Sequence, residues 1–244
     1  MKKSYIYFSG AILIVIMLLS LQGCEKEAEG IQYGFVSDIE GNEYRTVTIG
    51  TQEWMADNLR TTKYNDGTDI SLVTNSFIWQ TLETPGYAIY AIDDFEVYGY
   101  LYNWYVVNTC KVCPSGWHVP SDEEWSELID YLVVNGYNSD GTQISNSVAK
   151  SLAAKDYWSE SDTDGAPGNN LSLNNSTGFS AVGGGYRDDF GRFQGFNAMG
   201  KFWSSTLSEY PTSAYYYNIS YNTRNVLRHT LYITNGFSIR CVKD

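Results

Sequence analysis

The chain has 244 residues, of which 43% are hydrophobic and only 18% charged, so it can bury a core and is not a disordered polyelectrolyte. Its formal charge is −12 at pH 7, and a surface this negative repels phosphate backbones, which argues against a nucleic-acid partner. The two histidines, His118 and His229, leave little material for a histidine-rich zinc site or a Ser-His-Asp triad.

The chain begins with the features of an exported protein. Lys2 and Lys3 precede an apolar run over residues 11–19, and Leu21-Gln-Gly-Cys24 follows it. A basic start, a short apolar stretch and small residues before a cut are typical of a signal peptide, here residues 1–23. The motif Leu-x-Gly-Cys resembles the bacterial lipobox, which predicts acylation of Cys24. The alternatives are a secretory signal with a chance cysteine and a retained transmembrane helix, for which the run is too short.

A short polar stretch, Glu25-Lys-Glu-Ala-Glu-Gly30, follows the predicted anchor, and residues 24–42 are interpreted as a tether. Acidic residues just after a lipidated cysteine look like the signal by which some Gram-negative lineages send lipoproteins to the outer cell face. We therefore expect a palmitate-bearing outer-membrane lipoprotein at the cell surface, attached to the membrane through its lipid. The alternative is a periplasm-facing anchor with a linker that carries no address.

The first half of the folded region is predicted to be rich in β-strands. Residues 43–49 alternate between apolar and polar side chains, and residues 52–56 form a second such segment. Asn65-Asp-Gly67 predicts a turn. Residues 86–91 and 97–105 are rich in aromatic, β-prone side chains and are also predicted to be strands.

The hydrophobic period then changes to that of a helix. Ser121 and Glu124 form a capping box, because the hydroxyl and the carboxylate can each bond the other residue's backbone N–H. Apolar side chains follow at helical spacing on one face: Trp125, Leu128, Ile129, Leu132 and Val133. A second, shorter helix is predicted over residues 148–154.

A long loop and a β-meander are predicted to complete a single domain over residues 43–244. Residues 156–175 show no secondary-structure pattern, and a loop of this length tends to be functional or mobile. Residues 214–221, 226–233 and 237–242 are predicted to pair in order as antiparallel strands, with Asn235-Gly236 as a hairpin turn.

Nine phrases occur in an order that is similar to one known family. They are Tyr44-Arg-Thr-Val-Thr-Ile-Gly50, Gln52-Glu-Trp-Met-Ala-Asp-Asn-Leu59, Tyr64-Asn-Asp-Gly67, Gly99-Tyr-Leu-Tyr-Asn-Trp104, Cys113-Pro-Ser-Gly-Trp-His-Val-Pro-Ser-Asp-Glu-Glu-Trp125, Gly178-Phe-Ser-Ala181, Gly184-Gly-Tyr-Arg187, Phe202-Trp-Ser-Ser-Thr206 and Gly236-Phe-Ser-Ile-Arg-Cys-Val-Lys-Asp244. The segment from Tyr44 to the last residue resembles the Fibrobacter succinogenes major paralogous domain, which recurs in secreted and lipid-anchored proteins of gut-type bacteria.

The resemblance implies an α+β, C-type-lectin-like fold with twisted antiparallel sheets, two helices and a long loop region. It also implies a distant similarity to the formylglycine-generating sulfatase modifiers, but no established activity. Cys113 and Cys241 stand at the family's two cysteine positions, so the resemblance implies that they form a disulfide. Cys110-Lys-Val-Cys113 also matches a redox or zinc pair, although no helix begins at Cys110 as a redox pair requires.

Several residues are candidate ligand contacts. Trp158, at the start of the long loop, and Tyr186-Arg187 could present flat aromatic or cationic groups. Asp188 and Asp189 form the first carboxylate pair to consider for sugar hydrolysis, with a solvated turn as the simpler interpretation.

Calcium binding is a further hypothesis for the long loop. Glu160, Asp162, Asp164 and Gly165 imitate the first half of an EF-hand loop, but its twelfth position is Leu171, which rejects an EF-hand. An irregular, oxygen-rich calcium site remains an alternative. The sugar-coordinating Glu-Pro-Asn, Gln-Pro-Asp and Trp-Asn-Asp signatures of calcium-dependent lectins are absent from the sequence.

These observations together favour a non-catalytic binding or structural module that contacts an extracellular glycan or protein through its loops. The alternative is an enzyme-like modifier related to the sulfatase modifiers. That chemistry requires a reactive thiol or a metal centre, and Cys110 is the unpaired thiol that could serve it.

Overall fold

A computed structural model of the protein describes residues 30–90 and 93–244, and within it residues 31–244 form one compact unit. The predicted signal peptide, the acylation site at Cys24 and the start of the tether lie outside the described residues.

The chain combines strands with a few short helices in an α+β arrangement, and the described helices all lie between residues 72 and 184. The strands are β1 (Gly34–Ser37), β2 (Glu43–Ile49), β3 (Gln52–Met55), β4 (Ser71–Leu72), β5 (Gly86–Ala88), β6 (Leu101–Asn103), β7 (Trp117–His118), β8 (Gly184–Arg187), β9 (Phe193–Phe196), β10 (Met199–Leu207), β11 (Ser213–Ser220), β12 (Leu227–Tyr232), β13 (Gly236–Phe237) and β14 (Val242–Lys243). The helices are α1 (Ser76–Gln80), α2 (Phe95–Tyr98), α3 (Trp104–Val107), α4 (Asp122–Val134) and α5 (Ala149–Leu152), with a 3₁₀ turn at Leu171–Leu173.

The described strands form two sheets. The smaller has the order β1-β2-β3-β14-β7, and the larger has the order β12-β11-β10-β8-β13-β6-β5-β4, with β9 paired to β8. Most neighbours are antiparallel, but β4 and β5, and β8 and β10, are parallel pairs. Strand β1 pairs with β2, so the folded unit begins before residue 43, inside the segment interpreted as a tether.

Helix α4 forms as its sequence pattern predicts. The Ser121 hydroxyl accepts from the backbone N–H of Glu124, whose carboxylate accepts in return from the Ser121 N–H at 2.7 Å. The Trp125 ring on its buried face stacks on Tyr217 with centroids 4.9 Å apart, and the Trp54 ring lies at the same distance on another side. These rings join the helix to β3 and β11.

The disulfide implied by the family resemblance is present. Cys113 and Cys241 are bonded across 128 residues of sequence, and both are buried. The bond ties the segment before α4 to β14, which lies between β3 and β7. The last strand is therefore held on both edges by hydrogen bonds and at its start by a covalent link.

Three predictions of secondary structure are wrong. Residues 97–105 are not one strand, because their aromatic side chains are distributed over the end of α2, then β6, then the start of α3. The final meander is also incorrect: β11 and β12 pair, but the third segment divides into β13, which joins β6 and β8, and β14 in the other sheet. The structure further contains α1, α2 and α3 in addition to the two predicted helices.

Candidate ligand-binding cavity

A cavity of about 360 Å³ opens where the two ends of the long loop meet β2 and the segment before β14. Its lining combines charged, amide and hydroxyl side chains with a few apolar ones: Arg45, Ala56, Asp57, Glu96, Val97, Ala154, Lys155, Asp156, Tyr157, Asn175, Ser180, Val182 and Arg240. The volume falls within the range of small-molecule sites in proteins.

One side of the cavity is formed by an ion pair between neighbouring strands. The Arg45 side chain reaches Asp57, with Nη2 at 2.6 Å and Nε at 3.1 Å from Oδ1, and its backbone N–H donates to Oδ2 at 2.7 Å. Burial opposes the charge of Asp57, but the hydrogen bonds from Arg45 outweigh it and lower the pKa of the carboxyl below 3.8. The pair is therefore ionised and fixed in place at neutral pH.

Arg240 forms the buried base of the cavity and makes no ion pair within the described residues. Its guanidinium donates to the Asn58 side chain at 2.9 Å, to the Ser180 carbonyl at 2.8 Å and to the Phe179 carbonyl. The Phe179 ring lies beneath it, 4.5 Å from the guanidinium carbon. Burial lowers the pKa of Arg240 to about 9, so it remains a cation at neutral pH.

Three non-glycine residues of the lining adopt the left-handed backbone conformation. Tyr157, Asn175 and Ser180 have φ values of 67°, 66° and 57°. The Asn175 side chain holds Ser180 through two bonds of 2.8 Å, one to the Ser180 N–H and one to its hydroxyl. Such conformations cost free energy outside glycine and tend to collect at functional sites. The lining is therefore held in its shape by its neighbours.

A row of aromatic rings leads from the cavity along the β8–β9 hairpin. The Tyr98 ring contacts Tyr157 and Phe196, with centroids 5.5 Å and 4.7 Å away. The Tyr90 ring in turn contacts Phe196 and Phe193, with centroids 5.1 Å and 4.8 Å away. The exposed members are Tyr157, at 45%, and Phe196, at 37%. The cavity is thus bordered by flat apolar faces of the kind that pack against sugar rings.

Two of the predicted contact residues are buried, and those predictions are wrong. Trp158 is only 6% exposed, and its indole N–H donates to the Ala181 carbonyl at 3.0 Å inside the core. Arg187 is fully buried and donates to the carbonyl oxygens of Thr74, Gly191 and Val73. Both side chains connect loops to the core and have no free face for a ligand.

The neighbouring predicted contacts lie on the hairpin away from the cavity. Asp188 is buried and accepts from the side chains of Arg192 and Gln194, and despite burial these bonds lower its pKa. Tyr186 is half-buried against the Lys201 ammonium, and Asp189 is a half-exposed turn residue. Asp188 and Asp189 therefore lie at a turn, and the Asp188 carboxylate is hydrogen-bonded to Arg192 and Gln194. This arrangement agrees with the interpretation of the two residues as a turn.

The three calcium candidates, Glu160, Asp162 and Asp164, are exposed side chains of the long loop. No group of three His, Cys, Asp or Glu side chains in the described part of the chain is arranged to hold a metal ion. The middle of the loop is instead fixed by Lys150, whose ammonium donates to the Ala166 carbonyl at 3.3 Å, the Asn170 carbonyl at 3.1 Å and the Asn169 carbonyl.

The unpaired thiol borders a different cavity. Cys110 is exposed and lines a space of about 210 Å³ with Cys113, His118 and apolar side chains. His118 is held at both ring nitrogens, by Asp244 at 2.7 Å and Glu124 at 2.8 Å. Burial opposes its charge, but these bonds raise the pKa of His118 above 6.5. With both ring nitrogens hydrogen-bonded to carboxylates, His118 has no free nitrogen to accept the thiol proton.

The sequence predictions did not identify the residues that line the cavity at Arg45 and Arg240. No sequence motif marks these residues, and the only available indication was the type of segment in which they occur: Arg45, Asp57, Asn175 and Arg240. Arg45 and Arg240 are charged residues inside strand-like segments, where a charge must be paired or hydrogen-bonded when buried. Their convergence with Asn175 depends on tertiary structure.

Comparison with known protein families gives a match over most of the chain. The sequence model described as the Fibrobacter succinogenes major domain matches residues 47–243, a range that includes Asp57, Tyr157, Asn175 and Arg240. Neither the curated proteins nor the solved structures contain a significant match. No helix in the described ranges is long and apolar enough to cross a membrane. The chain belongs to the Fibrobacter succinogenes major domain family.

Proposed function

We propose that this protein is a lipid-anchored, non-catalytic binding module at the bacterial cell surface, and that it holds an extracellular glycan in the cavity between Arg45 and Arg240. The observation that carries the proposal is the combination, in one 360 Å³ cavity, of fixed polar groups with the exposed ring of Tyr157.

Shape and polarity both support a binding role. The left-handed backbones of Tyr157, Asn175 and Ser180 give the lining a shape that it keeps at a conformational cost, as expected of a preorganised ligand site. The accessible polar groups of the lining belong to Arg45, Glu96, Lys155 and Asp156, and Tyr157 supplies a flat apolar face. Sugars present the complementary surfaces, with hydroxyl groups at the ring edge and C–H groups on its faces.

The cavity chemistry favours binding over hydrolysis. Glycoside hydrolysis requires one carboxyl group to donate a proton and another to act as base or nucleophile. Asp57 is occupied by Arg45 and has a lowered pKa, so it is a poor acid. Glu96 and Asp156 are exposed rim residues.

The remaining parts of the proposal concern architecture and location. A C-type-lectin-like arrangement is supported by the two sheets, the long loop and the disulfide that closes the domain onto its last strand. The anchor is proposed from the lipobox-like residues ending at Cys24. Mass spectrometry of the native N-terminus tests acylation, and protease shaving of intact cells tests surface exposure against a periplasm-facing anchor.

A glycan array with purified protein tests the binding function. The Tyr157→Asn variant removes the ring but retains a residue that tolerates the left-handed backbone, so it should fold and lose at least tenfold in apparent affinity for any glycan bound. Tyr210→Asn is the matched control, because Tyr210 is 71% exposed and does not line the cavity. Equal loss in both variants, or no glycan binding to the wild type, contradicts the proposal.

The enzyme-like modifier remains the second candidate, and the exposure of Cys110 is the observation in its favour. Its backbone is also left-handed, with a φ of 56°. Against it, His118 is held by Asp244 and Glu124 and cannot take the thiol proton. Calcium in the long loop likewise remains a hypothesis that chelation of the purified protein would test.

A further inference from the structure

The base of the glycan cavity carries one more positive charge than the protein neutralises. Arg45 and Arg240 both line it, and Asp57 is the carboxylate in contact with Arg45. Asp57 accepts from the backbone and the side chain of Arg45 through both oxygens, and it accepts no hydrogen bond from Arg240. Two cations against one anion leave a net charge of +1 at this position.

Both guanidinium groups also retain unused donors. Three N–H groups of Arg240 donate to Asn58, Phe179 and Ser180, all through uncharged oxygens, and a guanidinium has five N–H groups. The Nη1 group of Arg45 has no hydrogen-bond partner among the described residues. Arg240 is buried and hydrogen-bonds only uncharged oxygens, so an anionic ligand group that reached it would recover part of its desolvation cost.

Glu96, Lys155 and Asp156 also line the cavity and together carry a charge of −1. They are exposed to water, which weakens their interaction with a ligand charge more than it weakens direct contacts at the buried base. The overall charge of −12 slows the approach of an anion at low salt, but it acts over a longer range than the contacts inside the cavity. Planar guanidinium groups match carboxylate and sulfate oxygens in geometry and charge.

Resting on the function proposed above, we propose that the ligand is an anionic sugar unit. Its carboxylate or sulfate group binds the unused N–H groups of Arg45 and Arg240, and its ring packs against Tyr157. A peptide with a free terminal carboxylate shares the anionic group but not the flat ring that the exposed Tyr157 side chain accommodates. The sugar is therefore the occupant that uses both features.

Titration of the full chain with three related probes tests this inference. Glucuronate, glucose 6-sulfate and glucose are added in turn, and binding is followed by ligand-observed NMR. At least one anionic sugar should bind tenfold or more tightly than glucose. Comparison of glucuronate with glucose 6-sulfate shows whether the site prefers a carboxylate or a sulfate. The ratio of anionic-sugar affinity to glucose affinity should fall as the salt concentration rises. Equal affinity for all three, with loss of all three in Tyr157→Asn, overturns the inference but leaves the glycan function intact.

Two substitutions of opposite charge sharpen the test. Arg45→Gln removes the excess charge and should reduce the preference for the anionic sugar to less than threefold, whereas Asp57→Asn increases the charge and should not reduce it. Lys111→Gln is the control, because it removes one positive charge at a residue that does not line the cavity. A preference that falls in Asp57→Asn, while thermal melting shows a folded protein, overturns the inference.

One outcome removes both proposals together. If no sugar binds, and a short peptide acid binds where its C-terminal amide does not, then the cavity recognises a peptide carboxylate and neither the glycan nor the anionic sugar is its ligand.

Discussion

The ammonium of Lys201 lies 3.5 Å from the centre of the Tyr186 ring, inside the larger sheet. The rings of Tyr216 and Phe237 lie 5.2 Å away on other sides, and Lys201 is only 7% exposed. Its ammonium has no carboxylate or carbonyl partner among the described residues. Burial lowers the pKa of Lys201 to about 8 from its usual 10.5, so the aromatic contacts only partly replace lost hydration.

Replacement of this lysine should stabilise the protein. Lys201→Met keeps the chain length and removes the buried charge, so the free energy of unfolding at pH 7 should rise by about 1–3 kcal/mol. Below pH 8 both the folded and the unfolded lysine are protonated and the full penalty applies. As pH rises from 8 towards 10.5 the folded lysine releases its proton first, so wild-type stability gains relative to the variant.

Urea denaturation at pH 7 and pH 10 measures this prediction. The exposed Lys111→Met serves as the control, because surface ion pairs contribute little and it should change stability by less than about 1 kcal/mol. A destabilised Lys201→Met variant would show that the three rings hold the ammonium more strongly than water does.

His118 should make stability depend on pH in the opposite direction. It lies between Asp244 at 2.7 Å and Glu124 at 2.8 Å, and its pKa is raised above 6.5. The stabilisation is complete below pH 6.5, where even the unfolded histidine is protonated, and it is lost as pH rises through the raised pKa. The stability difference between wild type and His118→Gln should therefore be larger at pH 5.5 than at pH 9.

The size of this effect is limited by solvent. The His118 side chain is 41% exposed, so we expect a difference on the order of 1 kcal/mol or less. His229→Gln on the edge strand β12 is the matched control for loss of an imidazole, because the His229 ring makes no ion pair among the described residues. The same difference at both pH values would mean that His118 acts through packing and not through its charge.

The sequence predicted α4 well because all of its signals are local. The capping box and the helical spacing of the apolar residues both lie within residues 121–134, so neither depends on a residue far away in the sequence. The strands were located in part, but their pairing was not, since an alternating pattern shows that one face is buried without showing against what. Residues 237–242 show the limit: one apolar segment contributes β13 and β14 to two different sheets.

The cavity could not be predicted from local sequence patterns, because its lining residues come from distant parts of the chain. Arg45 comes from the first strands, Tyr157 and Asn175 from the two ends of the long loop, and Arg240 from the last turns of the chain. Trp158 was a reasonable contact candidate by composition, but its indole is used to fix the loop to the core. The neighbouring Tyr157 is the ring that remains exposed, and its left-handed backbone has no signature in the sequence.

Lys150 should control the order of the long loop. Its ammonium donates to the carbonyl oxygens of Ala166, Asn169 and Asn170, and Lys150→Met leaves these acceptors without a donor. Stability should fall by about 1–3 kcal/mol, and amide hydrogen exchange should accelerate across residues 166–175 before it does in α4. Lys155→Met, in which an exposed lysine next to the loop is replaced, should leave both measurements unchanged.

The same measurements distinguish this arrangement from a calcium loop. With the Lys150 ammonium on the loop carbonyls, added calcium should not change the melting temperature of the wild type. A rise in melting temperature with calcium that is lost on substituting Asp162 or Asp164 would instead establish the calcium hypothesis.

The disulfide should be the largest single contribution to the stability of the domain, and Cys110 should not contribute. Cys113 and Cys241 close a loop of 128 residues, for which the chain-entropy model gives about 4–5 kcal/mol. Cys113→Ser and Cys241→Ser should therefore each lower the free energy of unfolding by several kcal/mol, whereas Cys110→Ser should leave it unchanged because this thiol is exposed.

Thiol labelling of the folded wild type should modify Cys110, and Cys110→Ser should lose that labelled site. The labelling rate of Cys110 in the wild type should be no faster than that of a free cysteine. A much faster rate would favour the modifier over the binding module, because it would show an activated nucleophile that the ionic contacts of His118 do not explain.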